Sequence, residues 1–274
     1  MGNKVGTFLQ LYGSGATRAQ WYIDLMPEHN AYAEPFAGGL NVLVQKPPVK
    51  YEIANDMNGR LMNCMRVLRD EPDELFRLIE LTPWHDGERL LAKEQSPDPL
   101  EDARRVWCGI NLSIVGNTDF EENGGFKWPK TPKLGHNVKN FTKQGKNPER
   151  YRAFAERIKN VHFLVLDAFQ LMDKIDGTGY FMYVDPPYVK DTRTNKSAYS
   201  HEQDDTFHEK LVQRLLHWDG KIMLSGYQTP VYEPLETAGW LRIDRSMGTN
   251  TGGNKVESIW INYTPEKQRS MFDL

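Results

Sequence analysis

Short apolar or β-branched runs bounded by turn residues recur at about 31–34, 51–55, 162–166, 180–184, 221–225, 240–244 and 257–263. Each has the length of a buried strand. Segments with apolar positions at helical spacing lie between most of them, at 17–26, 38–45, 58–69, 204–217 and 230–238. Strand alternating with helix predicts an α/β fold built on a doubly wound, mostly parallel seven-stranded sheet. The last two runs, WLRID and ESIWINY, are joined by SMGTNTGGN, which is too rich in Gly, Asn and Thr for a helix. They predict an antiparallel hairpin closing one edge, with the last strand antiparallel to the rest.

The alternation breaks once, between the second and third strands, where about a hundred residues intervene. Helical patterns at 72–80 and 99–112 are followed there by the loop-like stretch NTDFEENGGFKWPKTPKLGHNVKNFTKQGK. A loop of that length in a compact domain has a task or is disordered. The chain therefore divides into a main domain, 1–70 with 160–265, an insertion at 71–159 and a short tail at 266–274.

Composition adds limits. A hydrophobic fraction of 39%, with 7 Trp, 12 Tyr and 12 Phe, suffices for a packed interior and argues against global disorder. No apolar stretch is long enough to span a bilayer and MGNKVGTFLQ lacks a secretion-signal layout, so the expected location is the cytoplasm. Cys64 and Cys108 stand in helix-like segments without metal-ligand spacing and are expected to be small buried residues; no metal site is expected. The net charge of −3 favours no nucleic-acid partner, but its distribution does. Between Phe126 and Lys159 there are ten basic residues, Lys127, Lys130, Lys133 and Lys139 among them, against Glu149 and Glu156 alone. That excess suits a phosphate backbone, and a solvated basic loop equally.

The chemistry gathers at strand ends, where open α/β sheets bind ligands. The first strand runs into AEPFAGGLNV, and Gly38-Gly39 allows close backbone approach; a plain strand-to-helix turn explains the pair as well. The second, YEIAND, ends at Asp56, at the spacing where a carboxylate takes ribose hydroxyls, although Asn55 or Asp56 also suits as cap of the following helix. The third, VHFLVLDAF, ends at Asp167 and Phe169, an acceptor and a ring. The fourth closes on Asp185-Pro186-Pro187-Tyr188. Pro186 has no N–H and Pro187 restrains it to an extended conformation, so its carbonyl has a nearly fixed direction. Two acceptors and an aromatic face fit an exocyclic amine on a flat heteroaromatic ring. The structural alternative is a rigid loop in which Asp185 caps a turn and Tyr188 is core. His208, on a predicted helix, reads as structural.

These motifs resemble the Dam-like, adenine-specific (N6-adenine) DNA methyltransferases, especially the short versions common in bacteriophage and bacteria. The resemblance rests on LYGSGATRAQWYIDLMPEH, AEPFAGGLNVL, EIANDMNGRLMNCMRVLRD, DPPY, KIMLSGYQTPVYEPL and ESIWINY, which together span nearly the whole chain. It implies a Rossmann-like catalytic domain using S-adenosyl-L-methionine, and a target-recognition insertion at 71–159. It implies cofactor contacts at Tyr12, Gly13, Phe36, Gly38, Asp56, Asp167, Ala168, Phe169 and Asp185. The adenine amine, in a base flipped out of double-stranded DNA, would meet Asp185, Pro186, Pro187 and Tyr188, with DNA contacts from Lys127, Lys130, Lys133 and Lys139. The chain departs from the family at Gly13-Ser14-Gly15, where Gly-Gly-Lys is usual, and Arg18 lies one turn further on. A methylase acting on RNA adenine and an inactive DNA-binding relative are the rival readings. In the tail, Gln268-Arg269-Ser270-Met271-Phe272 resembles peptides that dock in bacterial sliding clamps, against the simpler reading of a frayed terminus.

Overall fold

The computed structural model describes residues 5–11, 18–114, 116, 118, 120, 125–127, 148–175, 177–188, 205–248 and 254–265. Seven strands, β1 (Ala31–Glu34), β2 (Tyr51–Asn55), β3 (Val161–Leu164), β4 (Phe181–Val184), β5 (Lys221–Gly226), β6 (Leu241–Gly248) and β7 (Asn254–Ile261), form one sheet in the order β3-β2-β1-β4-β5-β7-β6. The first five are mutually parallel. The expected hairpin is present, but its second strand enters the sheet first: β7 runs antiparallel between β5 and β6, leaving β6 at the edge.

Alternation along the strands divides the interior in two. Tyr32, Phe181, Tyr183, Met223, Ile259 and Ile261 join one core, and Ala33, Met182, Val184, Ile222, Leu224 and Trp260 the other. The first core is covered by α1 (Ala19–Leu25), α2 (Gly59–Asp70), α3 (Pro72–Leu81), α5 (Pro99–Asn111) and α6 (Pro148–Arg157). The second is covered by α7 (Ala168–Lys174), α8 (Asp205–Leu216) and α9 (Glu233–Thr237). A short α4 (Asp86–Leu91) packs beside α5.

Local sequence explains most helix starts. The Asn58 side chain accepts from Leu61 N at the head of α2, and Asp98 accepts from Leu100 N ahead of Pro99 at the head of α5. Cys64 and Cys108 sit inside these helices, buried and free, and burial pushes both thiols up. The helix expected at 38–45 is not formed. Gly38 and Leu40 have φ of 48° and 59°, outside the right-handed region, and the segment runs as successive turns. Full burial of Leu40 offsets a left-handed backbone cost of about 1–2 kcal/mol. The pattern also missed α4, α6 and α7: two have only 6 and 7 residues, and charges surround the buried Tyr151, Phe154 and Ala155 of α6.

The helical part of the insertion shares the main core. Asp102 on α5 is 2% exposed and takes Arg60 of α2 in a bidentate pair, Nη2 to Oδ1 at 2.7 Å, while Arg60 also donates to the Ala92 carbonyl. Part of the basic segment is likewise structural. Arg157 pairs with the buried Glu52 at 2.6 Å, beside Lys46, and Arg152 pairs with Asp73.

Candidate active site

In the sheet order, β1 lies between β2 and β4, so the chain changes direction across the sheet at the β1–β4 boundary. The loops after β1, β2 and β3 are tied to one another there. Asn55, fully buried, donates through Nδ2 to the carbonyls of Pro35 (3.0 Å) and Leu166 (2.9 Å), and its Oδ1 accepts from Leu166 N. Asp56 Oδ2 accepts from Gly38 N at 3.0 Å and Oδ1 from Asn58 N at 2.9 Å. Neither Asn55 nor Asp56 caps α2, since Asn58 holds that role and leaves both to the loop junction.

Asp167 caps α7 by accepting from Phe169 N at 2.8 Å, and Ala168 is buried behind it. The Phe169 ring stands 5.5 Å from Phe207 on α8, and Phe36 lies 6.1 Å from the same ring at 85°. Phe207 thus joins two rings that the sequence had marked separately. Carboxylates and aromatic faces converge from three strand ends, a set of acceptors and rings suited to a ligand with vicinal hydroxyls and a flat ring.

Beyond β4, Asp185 is partly buried and Pro186 is buried. Ser225 Oγ, on β5, lies 2.8 Å from Asp185 Oδ1 and 3.2 Å from the Tyr183 hydroxyl. Burial raises the Asp185 carboxyl above its usual range, against Arg18 and the hydroxyls of Ser225, Tyr188 and Tyr183, which favour the ionised form. Glu34, at the end of β1, is buried and accepts from Tyr32 at 2.6 Å. Burial pushes it up to about 8, and the Asp185 charge adds to the rise. Tyr188 packs edge-on against Tyr227 at 4.8 Å and donates to Glu257 Oε1 at 2.9 Å. Glu257, on β7, also takes Tyr22 and Arg18.

The structure therefore brings together Phe36, Gly38, Asp56, Asp167, Ala168 and Phe169 around three tied loops, with Asp185, Pro186, Pro187 and Tyr188 across the β1–β4 boundary. Ser225, Phe207, Tyr227 and Glu257 complete this end of the sheet and were missed as site residues. Ser225 stood in the quoted LSGY stretch, and Glu257 was visible as an acid opening an apolar strand. His208 is buried, with Nδ1 2.9 Å from the Tyr232 hydroxyl, as a structural histidine should be. Lys127 donates to Gln10 Oε1 and the Asn111 carbonyl, and burial lowers its ammonium to about 8. Tyr12, Gly13, Lys130, Lys133, Lys139 and the tail 266–274 lie outside the described residues. Among the described residues no helix is long and apolar enough to cross a membrane, and no His, Cys, Asp or Glu cluster could hold a metal.

Comparison with known proteins places the chain in a family. The family model for D12 class N6 adenine-specific DNA methyltransferase matches residues 13–248. The Type II methyltransferase M1.LlaDCHI of Lactococcus lactis subsp. cremoris is 25% identical over 85% of this chain and 84% of its own length. The Type II methyltransferase M.MjaIII of Methanocaldococcus jannaschii is 28% identical over 71% of this chain and 72% of its own.

Proposed function

This chain belongs to the D12 class of N6 adenine-specific DNA methyltransferases, and from that premise we propose which of its residues hold the adenine, the methyl donor and the DNA. The protein transfers a methyl group to the N6 amine of adenine in DNA, and membership implies S-adenosylmethionine as donor. Asp185 and the Pro186 carbonyl accept the two amine hydrogens of a flipped-out adenine, Pro187 fixes the carbonyl, and the ring stacks on Tyr188. The observation that carries this reading is the Asp185 carboxylate held by Ser225 at the end of β4, beside three loops with ligand-binding chemistry. Like its Type II relatives by name, the enzyme would serve restriction-modification.

Bound S-adenosylmethionine supplies a methyl group on a sulfonium, making that carbon the electrophile. The residues present fit this donor: Asp56 takes ribose hydroxyls, Asp167 and Ala168 border the adenine, Phe36 and Phe169 cover it, and Gly38 permits close approach. Tyr12 and Gly13 complete the set by resemblance. The target amine is a poor nucleophile because its lone pair is delocalised into the ring. Hydrogen bonds to Asp185 and Pro186 favour a pyramidal nitrogen and release that lone pair. The raised basicity of Asp185 suits it to take the proton the amine then loses. Positioning of this kind is worth on the order of 7–11 kcal/mol at best. Extruding the base costs a few kcal/mol, of which stacking on Tyr188 returns about 1–3 kcal/mol. The insertion, 71–159, supplies target recognition, with Lys130, Lys133 and Lys139 on phosphates, whereas Lys127 is held within the fold by Gln10 and the Asn111 carbonyl.

Asp185→Ala tests the assignment. It is expected to abolish radiolabelled methyl transfer while DNA binding, followed by gel shift, persists. Near-normal turnover would refute the reading.

A further inference from the structure

Glu257 is 1% exposed, on the face of β7 that it shares with Ile259 and Ile261, and opposite Arg245 on β6. A carboxylate among aliphatic neighbours needs partners for its charge. Three side chains supply them from distant parts of the chain: Arg18 just before α1, Tyr22 within α1, and Tyr188 in the loop after β4. Arg18 and Tyr22 alone satisfy the demand of a structural glutamate. The third bond does something else: it ties the phenol of the ring proposed to stack on the target base to a rigid strand. Tyr227 closes on that ring edge-on, so its hydroxyl is held by Glu257 and its edge by a neighbour.

Arg18 also bears on the missing lysine. Its guanidinium is directed to Glu257, within the electrostatic reach of Tyr188 and Asp185. It therefore serves the adenine side of the site. Tyr22, whose ring lies 5.3 Å from that of Tyr183 at a tilt of 39°, links the same carboxylate to β4.

Resting on the assignment of Tyr188 as the stacking ring, we propose that Glu257, oriented by Arg18 and Tyr22, is a positioning residue that fixes the Tyr188 ring for the adenine. It touches neither base nor donor and acts through the phenol. Losing one hydrogen bond to a charged acceptor predicts about a tenfold or greater fall in kcat, with KM for S-adenosylmethionine unchanged.

The test uses the full-length enzyme and radiolabelled methyl transfer to plasmid DNA, with Tyr188→Phe, Glu257→Gln, the double variant and Tyr188→Ala. Tyr188→Phe keeps the ring and the Arg18–Glu257 pair, so folding is not at issue. It is expected to lose about tenfold in kcat, with Glu257→Gln adding no more than about twofold in that background, because without the phenol Glu257 has no path to the ring. Wild-type kcat in Tyr188→Phe overturns the proposal whatever Glu257→Gln does. Independent, multiplicative losses overturn it too, since they assign Glu257 a separate structural role. Tyr188→Ala separates the underlying reading: if it retains wild-type kcat the stacking assignment itself fails, whereas its loss beside an intact Tyr188→Phe overturns only the role of Glu257.

Discussion

Ser225→Ala is the sharpest probe of how the fold prepares Asp185. Ser225 is fully buried, and its Oγ lies 2.8 Å from Asp185 Oδ1 and 3.4 Å from the Val184 carbonyl. Alanine removes one oxygen from the packing and one donor from the carboxylate. A hydrogen bond to a charged group contributes about 1.5–3 kcal/mol, which at about 1.4 kcal/mol per decade corresponds to a loss of roughly ten- to a hundredfold in kcat. The pH dependence carries a sign. The ionised carboxylate accepts the amine, and burial has already raised its pKa, so activity is present above that pKa and falls as pH drops through it. Ser225 favours the ionised form, hence its removal raises the pKa again and moves the acidic limb to higher pH. Methyl transfer measured from acid to neutral pH, with circular dichroism to check folding, reads both effects. A folded variant with wild-type kcat, or with its acidic limb unmoved or shifted to lower pH, would refute the argument.

Other consequences follow from named contacts. Arg60→Ala leaves Asp102 buried without its bidentate partner and is expected to cost about 3–5 kcal/mol in urea unfolding; Arg60→Met with Asp102→Leu should cost much less. Glu34 has its carboxyl raised from 4.5 to about 8, so the unfolded chain gives up that proton first and stability falls as pH rises across this interval. Melting temperatures should accordingly show Glu34→Gln gaining on the wild type from pH 5 to pH 8, and a constant difference would show that Glu34 does not titrate this way. Replacing Lys130, Lys133 and Lys139 together by Ala is expected to reduce the slope of log affinity for DNA against log salt by about 2.7; an unchanged slope would assign them to a surface loop.

What the sequence determined by itself was whatever repeats locally. Seven strands were legible because each is a short apolar run between turn residues, and the acids and prolines at their ends stood out because strand ends are where such residues have no packing reason to be. Asp56, Asp167 and Asp185 were singled out this way. The helix expected at 38–45 failed because its apolar spacing does not reveal that Gly38 and Leu40 must turn the chain to the left-handed side. Tertiary structure decided the rest. Ser225 meets Asp185 from 40 residues away, Tyr188 meets Glu257 from 69, and Arg18 reaches Glu257 across 239. Such partners carry no periodic signal: they become neighbours only because β4 and β5 run side by side and β7 folds back between β5 and β6. The order of strands in the sheet, a global compromise of packing, thus selects which buried charges and hydroxyls surround a loop whose own four residues announce its chemistry.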